Sequence, residues 1–151
     1  MNYGLISSLD DETTKCVFKS KKINNVVINS QLGELAGCLK KGDVVYVINV
    51  NRFANVTQLL NFGRFCMQKG VLLRFVAQPY LDIADGKRWK NSTLRKMEKM
   101  RSIEMQAKNH LQQCMRMGNE GWNTVFRCVE IMNLEILAHT FSSDGLLKRS
   151  N

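Results

Sequence analysis

Two polar side chains of the sequence stand where strands are expected to end. Ser7 closes a short, mostly apolar opening segment, residues 1–7, that reads as a strand. Open α/β sheets place their ligand-facing groups at such strand ends, and a hydroxyl there can act as a nucleophile once its oxygen is activated. Arg52 sits in Val50–Asn51–Arg52–Phe53–Ala54–Asn55, directly after the apolar run 44–50. A guanidinium at a strand end suits an anion. Taken singly, each feature is also ordinary turn chemistry. The third feature is charge. The chain carries +9 in total, and residues 87–116 hold nine basic residues against Glu98 and Glu104, a net +7 that leaves +2 for the rest. Such a stripe can neutralise phosphates and release counterions from nucleic acid; the alternative is a solvated helix face that keeps the protein soluble. We single out Lys90, Lys96, Lys99, Arg101 and Lys108 as the DNA-binding set. An anionic membrane is the weaker partner, because Trp89 is the stretch's only bulky aromatic anchor.

Other chemistries find little support. The five cysteines, Cys16, Cys38, Cys66, Cys114 and Cys128, are odd in number and scattered, no CxxC pair exists, and there are two histidines. A disulfide framework and a zinc site are therefore not expected, and a reducing cytoplasm is the expected compartment. No apolar run reaches the length of a membrane span, and the opening residues do not read as a secretion signal. With 151 residues and 44% hydrophobic composition, the chain can bury a core of ordinary size without a staple.

The elements that must position these residues follow from periodicity. Strands are expected at 1–7, 25–29, 44–50 and 71–77. The third is almost continuously apolar and β-branched, which predicts cover on both faces. Asp10, Asp11 and Glu12 form the acidic first turn of a helix running to Lys19. Leu32, Leu35, Ala36 and Leu39 recur at helical spacing before Gly42, and 55–69 reads as a helix stopped by Gly70. This alternation predicts an α/β fold: a mostly parallel, four-stranded sheet flanked by helices. From Lys90 to Met117 no glycine or proline intervenes, which predicts one long helix of roughly 40 Å. Its apolar stripe, Leu94, Met97, Met100, Ile103, Ala107, Leu111 and Cys114, outlasts what a small sheet covers, so we expect it to pair with the same helix of a second subunit. After Gly118 and Gly121, a short helix is expected at 124–132, another from Asn133, and a last turn from Ser142 with Lys148 and Arg149. In outline this is a helix-turn-helix or its remnant; the alternative is a helical cap.

In order and spacing, these features resemble the catalytic domain of small serine recombinases, the resolvase and DNA-invertase family. The family opens with Y-x-R-x-S; here the residues are Tyr3–Gly4–Leu5–Ile6–Ser7. Its G-D before a strand ending in L-D-R-x-x-R is matched by Gly42–Asp43 and by Asn51–Arg52–Phe53–Ala54–Asn55. A segment like its E-P-I-D follows as Gln78–Pro79–Tyr80–Leu81–Asp82, and its spaced glutamates on the long helix as Glu98 and Glu104. The resemblance covers residues 1 to about 117 and divides the chain into a resolvase-like α/β domain (1–89), a long basic dimerisation helix (90–117) and a small helical C-terminal segment (118–151).

The resemblance implies that Ser7 attacks a DNA phosphodiester and forms a phosphoserine link, that strands exchange within a tetramer built from dimers, and that no metal or nucleotide cofactor takes part. Clustered arginines would stabilise the five-coordinate phosphorus. Of that set the chain keeps Ser7 and Arg52. Leu5, Asn51 and Asn55 stand where the family has arginine, aspartate and arginine, Asn29 falls near another arginine position, and Met105 occupies a further one. Losing one transition-state donor costs about 10²–10³ in rate, so several losses together leave little cleavage. Arg64 and Arg74 would compensate only by projecting into the same site. The expected function is a serine-recombinase-like protein that binds duplex DNA as a homodimer with impaired cleavage. The alternatives are an active recombinase using Ser7 and an α/β interaction protein that never meets DNA.

Overall fold

The β-branched and apolar segments pair side by side as a four-stranded, wholly parallel sheet. Its strands are β1 (Asn2–Ile6), β2 (Asn25–Ile28), β3 (Val44–Val47) and β4 (Leu72–Phe75), in the order β2-β1-β3-β4. The computed structural model describes residues 1–7, 12–23, 25–116 and 122–140. Asp10 and Asp11, the break at Gly118 and Gly121, and the basic last turn with Lys148 and Arg149 lie outside the described residues.

Side-chain alternation divides the sheet's two faces. Leu5, Val45 and Val47 enter the main core, with Leu32, Leu35 and Leu39 of α2 (Leu32–Cys38), Leu59, Leu60 and Phe62 of α3 (Val56–Lys69), and Met97 and Met100 of α4 (Asn91–Arg116). Gly4 and Ile6 face the other way, onto α1 (Glu12–Ser20), where Phe18 and Ile23 complete a smaller cluster. A side chain at Gly4 would strike the Phe18 ring, 2.5 Å from an added Cβ, so the glycine lets α1 settle on β1.

Strand β3 is shorter than the apolar run 44–50 predicts, and its residues alternate between buried and half-buried. One face meets the main core, while the other has only the short α1 cluster for cover. Backbone pairing continues just past it, Val76 N–H to Val47 O and Ala77 N–H to Ile48 O at 2.8 Å each, and the chain then leaves the sheet. Val50 N–H donates to Gln78 Oε1 at 3.1 Å, and Asn51 N–H to Asn49 Oδ1 at 3.0 Å. Residues Val50–Arg52 accordingly wind into a single 3-10 turn.

Helix α4 spans 26 residues, as its lack of breakers predicts. The two short helices expected at 124–132 and from Asn133 are instead one continuous helix, α5 (Trp122–Thr140). Asn133 does not cap a helix; it lies buried mid-helix and donates from Nδ2 to Met100 O at 3.2 Å. Leu134 and Leu137 carry α5 into the main core. This packing also changes the reading of the α4 stripe. Met97, Met100 and Leu111 are buried by the chain's own elements, and of the stripe's large residues Ile103 is the exposed one, at 47%. No described helix is long and apolar enough to cross a membrane.

Candidate functional site at the carboxyl edge of the sheet

All four strands run parallel, so their carboxyl ends share one edge, and Ser7 and Arg52 both belong to it. Ser7 follows Ile6, whose register partner on β2 is Ile28, so the exposed serine stands level with Asn29. Arg52 ends the 3-10 turn after β3. Asn29 ties the two neighbourhoods together: its Nδ2 donates to Arg52 O at 3.2 Å. Gln58 braces the same loop, accepting from Ala54 N–H at 2.7 Å and reaching Asn29 O at 3.5 Å. The Arg52 guanidinium itself turns towards α1 and donates from Nη2 to Oγ1 of the fully buried Thr14 at 3.3 Å.

The other residues matched to the resolvase motif do structural work. Leu5 has no exposed surface and is locked in the main core beside Val47, so a charged group there would have to leave the core to reach the edge. Asn55 caps α3, accepting from Gln58 N–H at 2.8 Å, and donates to Glu130 Oε2 at 2.7 Å. Asn51 borders a small cleft of about 200 Å³ with Arg127, Ile131, Leu134 and Glu135 of α5. Arg64 and Arg74 do not compensate, because both are engaged elsewhere. Arg64 bridges to Glu98 of α4, and Arg74 to Asp82 at 3.4 Å. The side chains of Arg101 and Arg64 hold the Glu98 carboxyl below the usual carboxylate range.

Spacing singled out Glu104 as one of two glutamates on the long helix but gave neither its partners nor the roles of Arg127 and Gln78, which shape this edge from a distance. Glu104, buried on α4, accepts from the N–H groups of Val56 and Thr57 at 3.0 Å each and from Thr57 Oγ1 at 2.7 Å. It thus closes the N-terminus of α3 from another helix, where the helix dipole favours negative charge. Arg127 donates to Ala54 O at 2.7 Å and to Glu130 at 3.1 Å, and Gln78 links Val50 N–H to Ala138 O, the latter at 2.9 Å. A capping box reads partners three residues apart; apart from Arg127 with Glu130, these partners lie from 28 to 73 residues apart.

The five residues singled out on and beside α4 do not form one face. At 100° per residue, Arg101 and Lys108 share one side of the helix while Lys96 and Lys99 share the other. Lys108 is exposed and lines a groove of about 400 Å³ with Glu104 and Phe126. Arg101 is paired with Glu98 at 3.0 Å, Lys96 reaches Thr140 Oγ1 at 3.2 Å, and Lys90 lies over the Tyr80 ring. Lys99 is exposed.

No protein-family model matches the chain, and no curated protein matches it in sequence. Among solved structures, it is similar to a resolvase family site-specific recombinase from Streptococcus pneumoniae. The two are 16% identical, the match covers 80% of this chain and 99% of that one, and the TM-score is 0.48. At that identity and overlap the likeness assigns this chain no activity.

Proposed function

We propose that the chain is a recombinase-like DNA-binding protein that holds duplex DNA without cutting it, as a homodimer. The observation that carries this reading is the state of the carboxyl edge. Ser7 is exposed there, yet Arg52 is the one family arginine beside it, while Leu5 is core and Asn55 is a helix cap. A phosphorane gathers negative charge that neutral amides cannot match. Asn51 and Asn55 are therefore able to hydrogen-bond a phosphate but not to stabilise its transition state. Exposed Lys108 supplies attraction for the duplex on one side of α4 and exposed Lys99 on the other, and exposed Ile103 leaves part of the helix stripe for a second subunit. If the serine only neighbours the bound backbone, Ser7→Ala should bind a labelled duplex as wild type does in fluorescence anisotropy. A tenfold loss in Ser7→Ala would put the hydroxyl on the phosphate and favour the second reading, an active recombinase.

A further inference from the structure

The edge of the sheet opposite Ser7 carries a concentration of lysines outside any salt bridge among the described residues, of which Lys69 lies over the Phe65 ring at 5.5 Å from its centroid. Because every strand is parallel, the turns leading into β2, β3 and β4 lie on one amino-terminal edge. They bring Lys21 and Lys22 before β2, Lys40 and Lys41 before β3, and Lys69 before β4, with Lys19 in the last turn of α1 beside them. All six are exposed. Among the described residues, no salt bridge includes any of them. The carboxylate nearest in the chain, Asp43, is occupied by the Met1 ammonium at 3.1 Å and the Lys40 backbone N–H at 2.8 Å. Asp85 is the other acid at this end, beside Gly70 in a shared cleft. Negative helix C-termini account for Lys19 and Lys69. They do not account for the turn pairs Lys21–Lys22 and Lys40–Lys41.

Two backbone features hold these lysines in place. Lys22 has φ 61, the left-handed conformation, and is the sole non-glycine among the described residues to adopt it. The conformation belongs to the Schellman cap that ends α1, with Ile23 N–H bonding Phe18 O at 2.9 Å and Lys22 N–H bonding Lys19 O at 3.1 Å, and it fixes where Lys22 leaves the turn. Lys41 lays its stem across Gly70: a Cβ there would lie 2.9 Å from Lys41 Cγ. Gly42 N–H bonds Gly70 O at 2.9 Å, fastening the two turns together. The ammonium of Lys41 is thereby kept on the same edge as Lys69, against their mutual repulsion.

We infer that this amino-terminal edge is a second duplex-DNA surface, separate from the exposed cations of α4. The choice of DNA as partner rests on the function proposed above; the surface itself does not. Four strands spaced about 4.8 Å apart make an edge of roughly 14 Å, and that length of duplex presents about eight phosphates. A membrane fits less well, since Met1 is the large apolar residue exposed at this end and the aromatic beside it, Tyr3, is half-buried with its hydroxyl donating to the Met1 sulfur at 3.2 Å. The two surfaces are far apart on the fold. Glu104 fixes the later half of α4 to the start of α3, at the carboxyl edge, so Lys108 lies towards the end opposite the lysine row.

The test is fluorescence anisotropy of the full chain on a labelled duplex of about 30 base pairs, titrated between about 50 and 200 mM salt. A quadruple variant, Lys21→Ala, Lys22→Ala, Lys40→Ala and Lys41→Ala, should flatten the log–log salt slope by about three to four units. Arginine at the same four positions should keep the slope, and equal circular dichroism melts show that the variants fold. Lys22→Asn alone should raise the melting temperature and flatten the slope by about one unit. A quadruple variant with the wild-type slope, beside a weakened Lys99→Ala and Lys108→Ala double variant, overturns the inference and leaves the proposed function standing. The reverse pattern supports the edge and removes α4 from the interface. A wild-type chain that does not bind at all overturns both. Loss of binding to phosphatidylserine vesicles in the quadruple variant, with DNA binding intact, also overturns the inference and makes the edge a membrane surface.

Discussion

Glu104 shows how one side chain decides the shape of the candidate site. It satisfies two of the orphan N–H groups of α3 and the Thr57 hydroxyl from a position buried between helices. Glu104→Ala leaves those donors unpaired, and we predict a loss of about 2–3 kcal/mol in urea denaturation. Glu104→Gln keeps an acceptor oxygen and should lose less than half of that. Cys66 gives a chemical check on the core. Burial pushes its thiol up to about 12, so the reactive thiolate is scarce in the folded chain. Native-state alkylation read by mass spectrometry should mark the exposed Cys16, Cys38 and Cys128 and spare Cys66 until the protein is denatured. Because the folded state holds this proton more tightly than the unfolded chain, Cys66 also lowers stability as pH rises through the ordinary thiol range. At this scale the sequence is readable where a residue acts on its near neighbours. Asn55 before an apolar periodic stretch and Gly70 after it mark the ends of α3, and both do so in the structure. The links from Glu104, Asn55 and Gln78 to distant partners leave no trace in local spacing, because tertiary packing alone brings those groups together.

Helix α5 most changes the picture at the scale of elements. Its inner face carries Leu134, Leu137 and Asn133 onto the core and α4, while Val125, Met132 and Ile136 remain exposed on its outside. A helix apolar on both sides offers little amphipathic signal, and an asparagine in its middle imitates a cap. The sequence therefore reads as two short helices where one is formed. The strands were plainer, since alternating β-branched runs bounded by glycine and polar turns have few other uses. Even so, the turn after β3 depends on Gln78, 28 residues away, taking the Val50 N–H. The stripe on α4 separates folding from assembly. Leu111 is 9% exposed and Ile103 is 47% exposed. Leu111→Asp should destabilise the monomer by several kcal/mol, since it buries an unpaired charge. Ile103→Asp should leave the melting transition nearly unchanged and weaken self-association in light scattering. If both variants melt like wild type, α5 does not cover α4 as described.

The whole molecule sets an exposed serine, Arg52 and Arg127 of α5 on one edge of a parallel sheet and a row of exposed lysines, outside any salt bridge among the described residues, on the other. Three of the features read from sequence, Ser7, Arg52 and the basic α4, acquire their meaning from this arrangement. Ser7 and Arg52 share an edge because every strand is parallel, as the strand–helix alternation implies. The lysine row was hidden because its members come from three separate turns, which only the parallel sheet brings onto one edge. The proposed lack of cleavage rests on the whole edge, not on one residue: Leu5 is needed by the core, Asn55 by α3, and Arg64 and Arg74 by their own carboxylates. The central claim is that the chain holds duplex DNA but does not join it. The direct measurement is a labelled supercoiled or linear duplex incubated with the protein and resolved in parallel on native and on denaturing gels. The account predicts retarded DNA on the native gel at low salt and no protein-linked DNA on the denaturing one. A denaturant-stable protein–DNA band that disappears in Ser7→Ala would contradict it.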